Sequence, residues 1–220
     1  MEPEVAAVLD SPKRLREFHV ASSASSSRSI APQKSATALL ILDMVSDFRF
    51  PDANALFRAA YPVARRIARL KLRASASGVP VIYVNDNFGR WKSDLPGMVD
   101  YCAQASPQAG QILRVLAPGD SDHCVLKPRH SGFYATALDT LLEYIGATRL
   151  VITGVSGNQC ILFTANDAYV RDYQLHIPRD CIASPTEKGT QFALQYFKTV
   201  LDADLRPSTS LKFRRSRSVA

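Results

Sequence analysis

Long hydrophobic runs, paired cysteines and internal repeats are all missing from this 220-residue chain. No apolar stretch approaches the roughly 18–20 residues that a membrane-crossing helix requires, so no membrane partner is expected. The first residues carry Glu2, Glu4 and Asp10 and lack a compact basic segment followed by an apolar one. That pattern argues against a secretory signal. The four cysteines, Cys102, Cys124, Cys160 and Cys181, form no CxxC pair. Free thiols in a cytoplasmic protein are therefore expected, and each cysteine has to be read on its own. Cys124, in the apolar run Cys124-Val125-Leu126, reads as a buried small hydrophobe.

What is present fits one α/β domain with a real core: 46% of the residues are hydrophobic. The formal net charge of +7 is unevenly placed. Lys212, Arg214, Arg215 and Arg217 crowd the C-terminal end, so much of the basic character belongs to the tail. A solvated end is expected there rather than a nucleic-acid partner. Residues 21–35 are Ser-rich and too poor in apolar side chains to fold. The reading is a flexible N-terminal segment over 1–35, a domain over 36–211 and a flexible basic tail over 212–220.

Within the domain, apolar runs alternate with helical periodicity. Ala36–Leu42 is nearly continuous in apolar residues and ends at Asp43, as suits a strand buried on both faces. A helix is expected within 54–76, kinked or started late by Pro62. Strands follow at Val79–Val84, Val125–Lys127, Leu150–Gly154 and Gln174–Ile177, with a short sixth at 203–207. The intervening stretches read as helices at 98–116, Phe133–Ile145, from the turn after Val155 to about Arg171, and Pro185–Leu201. Such alternation argues for a mostly parallel six-stranded sheet with helices on both faces. In folds of this kind, working residues gather outside the carboxyl ends of the strands.

Three reactive side chains sit at that rim. Asp43 ends the first strand, Lys127 ends the third, and Cys160 opens the helix after the fourth. A thiol at a helix N-terminus near a lysine is pushed toward thiolate. An aspartate can hold that lysine and shuttle a proton. Each residue also has a plain reading: a structural cysteine, a turn-capping aspartate, a surface lysine. Composition alone does not decide between them. His130, three residues past the lysine, stands as a further candidate.

The segments Ile41-Leu42-Asp43-Met44-Val45-Ser46-Asp47-Phe48, Lys127-Pro128-Arg129-His130-Ser131-Gly132-Phe133 and Gly154-Val155-Ser156-Gly157-Asn158-Gln159-Cys160 resemble the three signature segments of isochorismatase-like cysteine hydrolases. Arg179-Asp180-Cys181 resembles the usual continuation, and the match spans roughly residues 36–206. The resemblance implies a Rossmann-like three-layer sandwich, a homo-oligomer, and a catalytic set of Asp43, Lys127 and Cys160. It also implies a cis peptide at Val155–Ser156 and an oxyanion hole from the backbone N–H groups of Ser156 and Cys160.

Two departures matter. Many relatives have Gln-Asn where Val45-Ser46 stands here, which leaves the contacts made at that point open. Nicotinamidases of the family hold a metal with an aspartate and two histidines after the second strand. Here residues 85–91 read Asn-Asp-Asn-Phe-Gly-Arg-Trp, with no histidine. Neutral amides are poor ligands for zinc-like ions, so no metal and no other cofactor is expected. The resemblance then implies hydrolysis of a C–N bond in a small molecule through an acyl-enzyme. The alternatives are an isochorismatase-type vinyl-ether hydrolase and a catalytically silent oligomeric scaffold. Phe48, Arg90, Trp91, Phe133 and Phe163 are candidate pocket residues; core packing is an equal reading for Phe133 and Phe163, and solvation for Arg90.

Activity is expected to persist after exhaustive chelation and dialysis. Activity lost on chelation and regained with added zinc or manganese would show that residues 85–91 have been misread.

Overall fold

The computed structural model of the chain describes residues 34–92 and 94–213. The flexible lead-in expected over 1–35 and the basic tail expected over 212–220 lie almost wholly outside the described residues. Six strands form one sheet: β1 Thr37–Leu42, β2 Val81–Asp86, β3 His123–Lys127, β4 Arg149–Val155, β5 Gln174–His176 and β6 Ile182–Ala183. Every named pairing is parallel, in the order β3-β2-β1-β4-β5. β6 runs beside the far end of β4, at Gly154 and Val155, while β5 pairs with its beginning. The helices are α1 Ala53–Ala76, α2 Leu95–Ala105, α3 Pro107–Leu116, α4 Leu138–Ile145, α5 Leu162–Tyr169 and α6 Glu187–Thr199. Among the described residues no helix is long and apolar enough to cross a membrane.

The sequence pattern explains the layers. Residues 38–42 of β1 are fully buried, and alternate side chains enter opposite cores. Leu39 and Ile41 pack on the α1 side with Leu56, Val63, Ile67 and Leu70. Leu40 and Leu42 pack on the other side with Leu138, Leu142 and Phe197. Each such side chain contributes about 1.5–3 kcal/mol by leaving water. That burial also explains why α1 runs through Pro62 without ending. Pro62 sits on the exposed face, and the buried stripe opposite it outweighs the ~3 kcal/mol that an interior proline costs. The region 98–116, read as one or two helices, holds two, which divide at Ser106-Pro107, where the Ser106 hydroxyl accepts the Ala109 N–H at 3.2 Å and Pro107 opens α3.

Three expectations need correction. The helix read from Phe133 begins at Leu138. Residues between are held by local side-chain bonds that compete with a helix: Phe133 N–H to Ser131, Leu138 N–H to Thr136, and Gly132 N–H to Thr164. The sixth strand is Ile182–Ala183; residues 203–207 give only an isolated bridge, Asp204 beside His176. Cys124 is exposed, because β3 is an edge strand that leaves one side of its first residues uncovered.

Strand order reverses between β1 and β4, so the crevice at their carboxyl ends is the place where side chains from both directions converge. Gly154 makes that junction possible. Its φ is +115°, and a Cβ there would collide with the Leu42 carbonyl oxygen. Gly154→Ala is expected to cost more than about 4 kcal/mol and to leave little folded protein. A Tm close to that of the parent chain would show that the two strands can separate more easily than this geometry implies.

Candidate active site

The three residues singled out at strand ends come together. Asp43 follows β1 in the left-handed region, φ +50°, a conformation aspartate tolerates better than most residues. Its carboxylate accepts the Asp86 N–H at 2.7 Å and lies 2.9 Å from the Lys127 ammonium. Lys127 is fully buried at the end of β3. Its ammonium also donates to the Arg129 carbonyl at 3.2 Å, stands 3.6 Å from Cys160 Sγ, and is 3.8 Å from the Asp86 carboxylate. On the other flank of the sulfur, His130 Nδ1 lies at 3.6 Å.

Cys160 sits in a wide π-turn, Gly157–Ile161, that runs directly into α5. Such turns are frequent at functional sites. The peptide bond Val155–Ser156 is cis, as the family resemblance implied. The Ser156 carbonyl accepts the N–H groups of Gln159 and Ile161, each at 3.1 Å, and Ser184 Oγ accepts that of Asn158 at 3.2 Å. Ser156 and Cys160 are not among the amides so engaged.

The charges follow from this packing. Burial works to lower the Lys127 pKa, but the Asp43 carboxylate, the thiol and Asp86 together outweigh it and raise the value, so the ammonium persists. Burial pushes the Cys160 thiol up, the Asp43 carboxylate pushes it further, and Lys127 opposes both without prevailing. These effects favour the thiol over the thiolate in the resting site. Lysine and aspartate thus act on the sulfur in opposite directions, the aspartate that holds the lysine offsetting its effect. Cys102 and Cys181, both buried, are also raised, chiefly by burial, to about 12.

The sulfur opens into a cavity of about 370 Å³, within the usual range for small-molecule sites. Phe50, Pro51, Leu56 and Phe88 give it apolar walls; Ser46 and Gln159 give it neutral polar ones; Asp52 and Asp86 join Asp43 as its carboxylates. A larger depression of about 500 Å³, lined by Lys34, Thr37, Arg149 and Phe213 among others, contains none of the reactive side chains described here.

None of the five expected pocket residues lines the cavity, and one, Phe163, rests against a residue that does. The Phe163 ring is half-exposed and rests against His130, with ring centroids 5.3 Å apart. Phe48 is buried instead, edge-on to Phe57 at 5.6 Å, because the chain turns at its φ of +52°. Phe133 is core, capped by the Arg171 guanidinium at 4.7 Å. Arg90 stacks on Tyr101 at 3.6 Å, and Trp91 is 77% exposed; neither lines the cavity. The residues missed by the sequence reading are Phe50, Pro51 and Phe88. All follow the carboxyl ends of β1 and β2, and that position was the available signal.

The departure at Val45-Ser46 is also accounted for. The Asn85 side chain accepts the Val45 N–H at 3.0 Å and donates to the Val45 carbonyl at 2.7 Å, which fixes the segment after β1. Those bonds occupy Asn85. The Asp86 carboxylate accepts the Phe88 N–H at 2.7 Å, and Asn87 accepts that of Gly89 at 2.9 Å. With one carboxylate, two engaged amides and no imidazole, residues 85–91 do not fit a zinc-like ion. Among the described residues no group of three or more His, Cys, Asp or Glu is placed to hold one.

Lys127→Met would leave Asp43 and Asp86 facing each other with no cation between them. We expect a loss of about 3–5 kcal/mol, read as a lower Tm. We also expect Cys160 to be alkylated only at higher pH than in the parent, since the one charge opposing burial is gone. An unchanged alkylation profile, followed by peptide mapping in folded protein, would show that lysine and thiol are not coupled.

Comparison with known proteins agrees with the geometry. The family model for the isochorismatase domain matches residues 37–204. The uncharacterized isochorismatase family protein YaaI of Bacillus subtilis (strain 168) is 40% identical over 172 residues, which cover 78% of this chain and 94% of that one. The ureidoacrylate amidohydrolase RutB of Methylorubrum extorquens is 30% identical over 174 residues, covering 66% and 68% of the two chains. The crystal structure of an isochorismatase family protein from Desulfovibrio vulgaris superposes with a TM-score of 0.64 at 26% identity, over 80% of this chain and 95% of that one. A parallel sheet in this strand order, three reactive residues at its carboxyl ends and a match over most of the domain lead to one conclusion: the chain belongs to the isochorismatase family of hydrolases.

Proposed function

We propose that this chain is a metal-independent cysteine hydrolase that cleaves an amide-type C–N bond of a small molecule through a thioester on Cys160. One observation carries the reading: Sγ stands 3.6 Å from the buried Lys127 ammonium, itself 2.9 Å from Asp43, at the wall of a small cavity. Because the resting thiol is protonated, attack and deprotonation must be coupled. Asp43 takes the thiol proton as Sγ bonds to the substrate carbonyl carbon. The N–H groups of Ser156 and Cys160 receive the charge that develops on the oxygen. The C–N bond then breaks, the amine leaves with the proton from Asp43, and water releases the acid. Lys127 keeps Asp43 in place and balances its charge throughout.

The cavity favours this over vinyl-ether hydrolysis. Its lining carboxylates, Asp43, Asp52 and Asp86, are matched by the single buried cation Lys127. A substrate carrying carboxylates of its own, as isochorismate does, would meet like charge there. A neutral amide would not. A silent scaffold would leave a buried Asp–Lys–Cys array with no use for its desolvation cost.

Ammonia release should be measured over a panel of neutral primary amides, each paired with a carboxylate-bearing analogue. Turnover is expected with neutral members and at least about tenfold less with their anionic partners. Cys160→Ala should lower it by on the order of 10³-fold or more while the protein stays folded. Turnover unchanged in that variant would sink the covalent route; cleavage of a vinyl ether with no amide hydrolysed would move the reading to its alternative.

A further inference from the structure

We infer that His130 is a second catalytic base, which acts on the water that releases the acyl group. The inference rests on the thioester reading above. It starts from the two flanks of the sulfur. The inner flank is Asp43 and the fully buried Lys127. Asp43 is committed there, to the Asp86 N–H on one oxygen and the Lys127 ammonium beside the other. The outer flank is His130, exposed on the cavity lining, with Nδ1 3.6 Å from Sγ. Its ring lies against Phe163 from the start of α5, tilted by 31°, so it has a fixed wall behind it and solvent beside it.

The two steps of thioester catalysis need bases on different sides. In acylation the proton to be moved is on Sγ, and Asp43 is the carboxylate on that flank, 2.9 Å from the Lys127 ammonium that itself stands 3.6 Å from the sulfur. In the second step the proton is on water, which arrives from solvent past His130. A neutral imidazole there takes a proton as the water oxygen bonds to the thioester carbonyl carbon. The tetrahedral species collapses, the C–S bond breaks, and the imidazole returns the proton to Sγ at 3.6 Å. The products are a carboxylic acid and the free thiol, so atoms and protons balance. Of the other lining groups, Gln159 is neutral, Pro185 has no side-chain acceptor, Asp86 is held by the Phe88 N–H and lies 3.8 Å from Lys127, and Asp52 stands at the rim, whereas His130 Nδ1 is 3.6 Å from Sγ.

The test uses the full chain and p-nitrophenyl acetate, an activated ester that acylates thiols. Nitrophenolate release is followed by stopped flow, and the acetyl adduct on Cys160 by intact-protein and peptide mass spectrometry. Three proteins are compared: the parent, His130→Gln, and His130→Phe, which keeps a ring against Phe163 but has no nitrogen. Both variants should retain the burst at the parent rate. Their steady-state rate should fall at least about a hundredfold, with acetyl-Cys160 accumulating and added imidazole restoring part of the turnover. An adduct that disappears at the parent rate in both variants would overturn the inference. So would loss of the burst itself, or full activity in His130→Phe, since either would make His130 a positioning residue. Turnover insensitive to Cys160→Ala, with no adduct in any protein, would instead overturn the thioester reading and this inference with it.

Discussion

A lysine ammonium fully removed from water is expensive, by several kcal/mol even after relaxation, and the arrangement of this site follows from meeting that cost. Lys127 is tolerable because the Asp43 carboxylate lies 2.9 Å away, Asp86 3.8 Å away, and the Arg129 carbonyl accepts a hydrogen bond. These partners come from the ends of β1 and β2 and from the segment after β3. The ion pair therefore pins three strand ends to one another. The sheet in turn supplies what a buried pair needs, a rigid geometry that does not relax toward solvent. Gly154 completes the frame by letting β4 pass close to the Leu42 carbonyl, which brings the cysteine-bearing turn over the same point.

The electrostatics of the sulfur are a compromise inside that frame. Lysine alone would favour thiolate, but lysine cannot be buried alone, and the carboxylate that permits it works in the opposite direction on the thiol. The outcome is a site that favours thiol over thiolate beside the carboxylate proposed as its base. Such a site is quiet until a carbonyl carbon arrives, because ionisation without bond formation would leave a charge in a desolvated place. Cys124 makes the contrast: it is exposed to solvent at the sheet edge, away from the Asp43–Lys127 pair.

The sequence was most legible where chemistry and topology coincide. Asp43, Lys127 and Cys160 each end a run with strand character or open the next helix, and their motifs carry the family, so their meeting was readable. The mostly parallel sheet was readable too, because apolar runs alternate with helical stripes along the chain. Side-chain facing in irregular segments was not. Phe48 and Phe133 lie inside the signature segments, and nothing in their type tells core from cavity. Phe48 turns inward because of a local φ of +52°, and Phe133 because Ser131, Gly132 and Thr136 hold the segment before α4 in turns instead of a helix. Cys124 failed for a different reason: its apolar neighbours signalled burial, but β3 is an edge strand, and position in a sheet is a tertiary property.

The cavity's charge ties these points to function. Asp43 and Asp86 share one cation, Lys127, so the inner wall keeps a surplus negative charge, and Asp52 at the rim adds another carboxylate at the entrance. Phe50, Pro51 and Phe88 supply flat apolar surface between them. A ligand that fits must offer an electrophilic carbon to Sγ, a carbonyl oxygen to the turn, and little negative charge of its own. Amides satisfy all three conditions. A carboxylate satisfies none at its own carbon, because its negative charge repels both the wall and the incoming sulfur. This has a consequence for turnover: the acid formed at the end of the reaction is the anionic species the cavity accommodates least. In the proposed reaction, the same carboxylates that make Lys127 possible thus favour departure of the acid product, and the array that holds Cys160 in place also clears the site for the next substrate.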